Sequence, residues 1–279
     1  MTDAIAVRDH YQAAIEDRAA LLARIAAAVD ALEPPIDARK LAPLDQFHMG
    51  GLAATAVVAE RARPARGEAV LDAGSGLGGP ARYLAETFGC QVEGVDLSPD
   101  YVAIARLLTD RAGLSDRVSL SEGDLLHLPF DDARFDLVWT QHVAMNIADR
   151  PGLYRELRRV LKPGGRLVFY DPVAADDHPD LTYPVPWAQT ARTSTLLTIA
   201  ETSTALADAG FDAIAIDDVT EAALGWAAQQ GLPTQSAMNA GMVVGARMAG
   251  MAANFMLNLR EGRVRLGLGV AAARQGAAA

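Results

Sequence analysis

The stretch 70-VLDAGSGLGGPARYLA-85 decides the fold: a short apolar strand runs into a cluster of glycines, and a helix-forming segment follows without a break. Gly74, Gly76 and Gly78 carry no Cβ, so the chain can turn sharply there and present main-chain N–H groups to a ligand at the helix start. The same order recurs downstream. Apolar runs at 69-AVLDA-73, 91-QVEGVD-96, 118-VSL-120, 135-FDLVWT-140 and 166-RLVFYD-171 alternate with helical patterns over 79–88, 99–112 and 150–161. That alternation predicts an α/β fold whose parallel strands are joined by right-handed crossovers.

Outside this core the pattern changes. Residues 8–33 have helical spacing and stop at Glu33-Pro34-Pro35, which predicts one N-terminal helix, and 50-GGLAATAVVAERAR-63 predicts a second. After Asp171, the Pro-rich stretch 172-PVAADDHPDLTYPVPW-187 is too long for a simple connection and reads as a lid. A helix over 198–210 ends at Gly210, a strand follows over 211–219, and a Met- and Ala-rich helical region over 221–261 is interrupted by 231-GLPT-234. The last strand is read over 263–272, and the tail from Gln275 is read as loose. These boundaries divide the chain into an N-terminal helical cap, 1–66, and a core, 67–279, with lid insertions at about 172–195 and 221–261.

Composition narrows the function. At 51% hydrophobic residues, 279 residues can bury a large core, and the net charge of −10 argues against a nucleic-acid partner, whose phosphates call for clustered cations. The basic run 155-RELRR-159 reads as a solvated helix face. With no long uncharged apolar segment and acids near the start, the expectation is a cytoplasmic protein without a membrane partner, either monomer or homodimer. Cys90 stands alone, and no Cys/His spacing suggests a metal.

The glycine turn by itself is ambiguous, because 74-GSGLGG-79 also satisfies the dinucleotide fingerprint. Asp72 separates the readings: two residues before the first glycine, it would repel a pyrophosphate and suit a cationic ligand. Asp96, at the end of the second strand, can accept ribose hydroxyls in either case. The acid after the third strand, Asp124 in 123-GDLLHLPF-130, is placed to meet an adenine amino group, with Leu97 and Leu125 on the two ring faces.

Taken in order, 72-DAGSGLGG-79, Asp96, 123-GD-124 and 161-LKPGG-165 resemble the motifs of class I S-adenosylmethionine-dependent methyltransferases, over most of residues 45–215. The resemblance implies a Rossmann-like open seven-stranded sheet of order 3-2-1-4-5-7-6, with strand 7 antiparallel and helices on both faces. It also implies S-adenosyl-L-methionine as cofactor and S-adenosyl-L-homocysteine as product. The cofactor residues it implies are Asp72, Gly74, Ser75, Gly76, Gly78, Asp96, Leu97, Gly123, Asp124, Leu125 and Gln141. The stretches 45-DQFHMGGLAAT-55 and 139-WTQHVAMNI-147 are similar to the small-molecule enzymes grouped with sarcosine/dimethylglycine N-methyltransferases. Relatives of that group methylate nitrogen, oxygen or carbon, so the acceptor atom stays open.

Thr140, Gln141 and His142 close the fourth strand, at the sheet end where ligands bind. His142 is read as a general base or as a group that orients substrate or bonds a loop; His48 is read as a neighbour of the cofactor's methionine end or as a capping and packing residue. His127 is expected at the adenine pocket. Asp176 and Asp177 either attract a cationic substrate or are solvated, the Met residues from 238 to 256 pack as core or adapt to a ligand, and Trp187 and Trp226 are candidates for an apolar wall. Rival functions are a nicotinamide-dependent oxidoreductase and a cofactor-binding protein of this fold that transfers no methyl group.

Overall fold

A computed structural model describes residues 2–230 and 238–275. Its centre is β1 (Ala69–Ala73), flanked by β2 (Gln91–Asp96) and β3 (Val118–Glu122) on one side, and by β4 (Phe135–Gln141) and β5 (Leu161–Ala174) on the other. Beyond β5 lie β7 (Val264–Ala273) and, at the edge, β6 (Phe211–Asp218), which gives the order β3-β2-β1-β4-β5-β7-β6. The first five strands pair in parallel, while β7 runs antiparallel to both its neighbours. This is the Rossmann-like sheet expected from the sequence.

Strand alternation explains the two layers of core. In β1, Val70 faces one side and Leu71 the other, as side chains in a strand must. Val70, Leu137, Trp139 and Val168 meet α4 (Gly51–Ala62) and α5 (Gly79–Phe88), whereas Leu71, Val138, Leu167 and Phe169 meet α7 (Arg150–Val160) and α8 (Ile199–Asp208). Because both faces are covered, the central strands are apolar almost throughout, with Val70, Leu71 and Ala73 fully buried. The strand order reverses between β1 and β4, so their carboxyl ends open a crevice.

The N-terminal segment folds differently from its sequence pattern. In place of one helix over 8–33 there are two, α1 (Thr2–Gln12) and α2 (Arg18–Asp30), because Asp17 stops helix propagation and caps α2 through its side chain, which accepts from the Ala20 N–H at 3.0 Å. An unanticipated α3 (Ala38–Asp45), capped by Asp37, follows. Leu21, Ile25 and Val29 of α2, with Leu41 and Leu44 of α3, pack on Ile104 and Leu108 of α6 (Pro99–Arg111).

Two further differences have physical causes. β5 extends to Ala174, into the stretch read as loop, because residues 172–174 find partners along β7. At its other end, the pairing with β4 jumps from Phe135–Leu161 to Leu137–Arg166, so 162-KPGG-165 leaves the ladder as a bulge, with Gly164 at φ +75°. The C-terminal helical region comprises α9 (Thr220–Gln230), α10 (Gly241–Val244) and α11 (Met248–Arg260); the interruption read at 231–234 and the last four residues of the tail lie outside the described residues. None of the described helices is long and apolar enough to cross a membrane.

Candidate active site

The crevice at the carboxyl ends of β1 and β4 is a cavity of about 560 Å³, within the range of about 300–1,000 Å³ typical of ligand pockets. Its floor is the glycine turn. The N–H groups of Gly74 and Ser75 both donate to the Val95 carbonyl, at 2.8 and 3.0 Å, which folds the turn back over β2. Gly74 has φ +81°, and a Cβ there would fall 2.4 Å from Val143 Cγ2, so this position admits no side chain. Gly78 has another job: with φ +75° it is the cap residue from which α5 starts, and it does not line the cavity.

Thr140, also expected at this strand end, does not line it either, whereas the other cofactor candidates and His48, His127 and His142 do. Asp72, Ser75, Gly76 and Asp96 form the wall beside the turn, Leu97, Gly123, Asp124 and Leu125 form one end, and Gln141, His142 and His48 form the other. Asp124 and His127 lie at the outer rim, with side chains 43% and 83% exposed and 3.5 Å apart, so this end opens to water.

Asp96 is held from below. Its two carboxylate oxygens accept the N–H groups of Gly76, at 2.8 Å, and Ser98, at 2.9 Å. Each oxygen keeps a lone pair for a hydroxyl donor. Burial raises its pKa above the usual carboxylate range, and the two N–H groups oppose that rise. Asp72 is more strongly perturbed: burial, then the charge of Asp96, push it up to about 7. Two buried carboxylates thus face one cavity, and a positive ligand is what the pair lacks.

Unpartnered polar atoms point to the same conclusion. Asp72 Oδ2, Ser75 Oγ, Gln141 Nε2 and His142 Nε2 are buried without a hydrogen-bond partner, and all four residues line this cavity. Buried polar atoms are rarely left unpaired, so a polar, positively charged ligand with its own acceptors and donors fits the set. These residues would accommodate S-adenosylmethionine: Asp96 its ribose, Asp72 its cationic end.

Both histidines are neutral. His48 Nε2 lies 2.9 Å from the Gly51 carbonyl and 3.0 Å from Thr55 Oγ1, whose own hydroxyl donates to Gln46 Oε1 at 2.7 Å. The carbonyl assigns the proton to Nε2. Burial lowers His48 to about 4 despite that bond, and burial together with His48 lowers His142 well below its ordinary value. His142 sits at φ +54°, an uncommon conformation for a residue with a Cβ, and its ring lies between Tyr170 and Phe255, with centroids 5.2 and 6.2 Å away.

The roof comes from distant segments. From α1, Tyr11 donates its hydroxyl to Asn146 Oδ1 at 2.8 Å, and Asn146 Nδ2 donates to the carbonyls of Trp187, at 2.8 Å, and Thr193, at 3.1 Å. His10 Nε2 bonds the Pro186 carbonyl at 2.9 Å, and Arg247 donates to the His10 carbonyl. Tyr11, Asn146 and Arg247 went unremarked in the sequence; Asn146 lay inside the singled-out stretch 139–147, whereas nothing distinguished Tyr11 from an ordinary helix residue. Beneath the turn, a fully buried ion pair joins Arg82 to Asp45 at 2.7 Å. Arg82 also donates to the Ala105 carbonyl and Thr109 Oγ1, at 3.1 and 2.9 Å.

The remaining candidates separate. Trp187 is buried and lines the cavity, as do Met248 and Met251, whereas Met238 joins the helical core. The side chain of Trp226 lies outside the described residues. Asp176 and Asp177 are exposed and away from the cavity, the solvated alternative. Arg159 pairs with Glu156 and Asp132 on an outer helix face. No His/Cys/Asp/Glu cluster suited to a metal occurs among the described residues.

Comparison with known proteins agrees with this geometry. Residues 71–169 match a family model described as a methyltransferase domain. The methyltransferase GfsG of Streptomyces halstedii is 36% identical over 180 residues, covering 64% of this chain and 65% of that protein. A sarcosine/dimethylglycine N-methyltransferase of Halorhodospira halochloris is 40% identical over 111 residues, 40% of each chain. The matches therefore span less than two thirds of the length of either relative. Among solved structures, that of the [4+2]-cyclase SpnF is 27% identical with a TM-score of 0.61, covering 80% of this chain and 81% of that one.

Proposed function

We propose that this chain, whose residues 71–169 match a methyltransferase-domain model, transfers a methyl group from S-adenosylmethionine to a nucleophilic nitrogen or oxygen, less readily carbon, of a small molecule. The observation that carries the proposal is the pairing of Asp96, anchored by two backbone N–H groups, with the buried Asp72, whose Oδ2 has no partner, beside the glycine turn. A dinucleotide would place its phosphates against that carboxylate, so a nicotinamide-dependent reaction is disfavoured.

When bound, S-adenosylmethionine supplies a methyl group already activated by a sulfonium. The chain's task is then alignment. Asp96 would accept the ribose hydroxyls, Leu97 and Leu125 would sandwich the adenine, and Asp124 would accept its amino group at the open rim. Gln141 Nε2 and Ser75 Oγ, without protein partners, are free to hold the polar methionine end. The roof of α1, Trp187 and α11 would shield the acceptor from water. Orientation of this kind can lower a barrier by about 7–11 kcal/mol. His142, neutral and at the end of β4, would take a proton from an acceptor that carries one, a contribution of about 10²–10⁴-fold. His48 is fixed by Gly51 and Thr55 and would position its neighbour His142.

A second reading has a specific observation behind it: similarity to a structure named as a cyclase. In that reading the same cavity binds the cofactor and acts on a ligand without methyl transfer. Titration with S-adenosylhomocysteine against NADH tests the cofactor assignment; binding of NADH alone would overturn it. Incubation with methyl-labelled cofactor and a panel of alcohols, phenols and amines tests the chemistry. Labelled product supports the main reading, whereas a converted but unlabelled ligand supports the second.

A further inference from the structure

Two helical faces meet in the roof of the cavity, and each sets one arginine in an apolar stripe. Ala4, Val7, Arg8 and Tyr11 of α1 line it at the i, i+3, i+4, i+7 spacing of a single helix face. Val244, Arg247, Met248 and Met251 line it at the same spacing, from the end of α10 into α11. A wholly apolar ligand would bury a cation there without a partner. A ligand with no apolar part would leave the Val and Met side chains facing water.

Arg247 is the better prepared of the two cations. One of its Nη groups donates to the His10 carbonyl, which ties the guanidinium to α1, while its Nε–H is buried with no partner. Arg82 and Arg150 also keep a buried, partnerless Nε, but neither lines the cavity, and their Nη groups make four and three hydrogen bonds to the protein. Arg8 is half-exposed and 3.7 Å from the exposed Asp9, a pair that solvent weakens. Asp149, at the exposed edge of the lining, is engaged in capping α7, where it accepts the Gly152 N–H at 2.8 Å. Tyr11 and Asn146 spend their N–H and O–H groups on each other and on the Trp187 and Thr193 carbonyls. The unspent donor on this wall is therefore the Arg247 guanidinium.

The cofactor's own carboxylate is a competing occupant, and the placement of charge argues against it. In S-adenosylmethionine that carboxylate and the ammonium leave one carbon, so Asp72, by holding the cationic end, draws both to the glycine turn, where Ser75 Oγ and Gln141 Nε2 await partners. Beyond burial, the charge of Arg247 is felt at His10 and Tyr101, whereas the cation felt at Asp72 is Arg82.

Resting on the function proposed above, we infer that the acceptor is an amphipathic molecule whose apolar body lies on Val244, Met248 and Met251 and whose single carboxylate is anchored by Arg247. The guanidinium presents a planar fork of N–H groups that matches two carboxylate oxygens. One dedicated arginine balances one negative charge; a phosphate dianion would call for more. The reactive atom is set apart from this anchor, and His142 can receive its proton from an N–H or an O–H alike.

Binding tests this without relying on turnover. Calorimetry on the protein saturated with S-adenosylhomocysteine, using octanoate, 1-octanol, octylamine and octyl phosphate as probes, is expected to show octanoate bound at least tenfold more tightly than each of the others. Arg247→Met should weaken octanoate at least tenfold, while octanol and S-adenosylhomocysteine stay within twofold, the sign that the roof still closes without the bond to His10. Arg247→Lys, which keeps the charge, should retain octanoate within fivefold. Octanoate bound no more tightly than octanol in the unaltered protein, or octyl phosphate preferred, overturns the inference and leaves the cofactor assignment standing. So does an Arg247→Met variant that keeps octanoate, or one that loses S-adenosylhomocysteine, which would place the arginine on the cofactor's carboxylate. Failure of the unaltered protein to bind S-adenosylhomocysteine overturns both.

Discussion

Asp72 predicts a particular pH dependence of cofactor binding. Its pKa in the ligand-free protein is about 7, raised by burial and by Asp96. If the cationic ligand binds the ionised form, apparent affinity is reduced by the protonated fraction: about elevenfold at pH 6 and about 1.1-fold at pH 8, so Kd should tighten about tenfold over that interval, or about 1.4 kcal/mol. Close to half a proton should be released on binding at pH 7. The histidines do not confuse the window, because His48 titrates near 4 and His142 well below its ordinary value. Calorimetric titration of S-adenosylmethionine at pH 6, 7 and 8, in buffers of different ionisation enthalpy, reads both the slope and the proton count. Asp72→Asn should bind more weakly at pH 8 and lose the slope. A pH-independent Kd in the unaltered protein, or the same slope in the variant, would refute the reasoning. The sign for stability is opposite: a carboxyl whose folded pKa is raised keeps a proton that the unfolded chain releases, so ligand-free stability should fall as pH rises from about 4 to about 7.

His142→Ala should lower turnover by about 10²–10⁴ if the imidazole is the base and leave S-adenosylhomocysteine affinity unchanged; calorimetry showing lost cofactor binding would place His142 on the cofactor instead. Asp96→Ala should weaken S-adenosylhomocysteine, because the ribose loses its acceptor and Gly76 and Ser98 lose their anchor; an unaltered Kd would mean that the ribose lies elsewhere. Asp45→Ala strands the Arg82 guanidinium, which is completely buried, and breaking such a pair costs about 3–5 kcal/mol. For 279 residues, an unfolding entropy of about 0.6 kcal/mol per kelvin converts this to a Tm lower by about 5–9 °C. Calorimetric melting showing no loss would mean that water reaches Arg82 in the variant.

What could be read from the sequence was local. The glycine turn, Asp72 and Asp96 lie within 25 consecutive positions, and their placement at the crevice follows from one strand-turn-helix unit and the strand beside it. The sheet was legible for the same reason, since each strand–helix step repeats a short pattern. The roof was not, because it is made of pairs such as Tyr11 with Asn146, 135 positions apart, which no periodicity couples. The break between α1 and α2 was hidden by an Ala-rich run that keeps helical spacing through it, and only the capping geometry of Asp17 shows where the second helix starts. The added length of β5 depended on a partner strand about 90 residues away.

The cavity is furnished from two sources: one wall by turns fixed to the sheet, the other by α1, the segment around Trp187 and α11, which lie outside it. On the function proposed above, mutational drift in those outer pieces would reshape which acceptors fit while the donor stays seated. Swapping them between homologues is therefore the economical route to a new acceptor range, and loop grafting should outperform random changes along the strands.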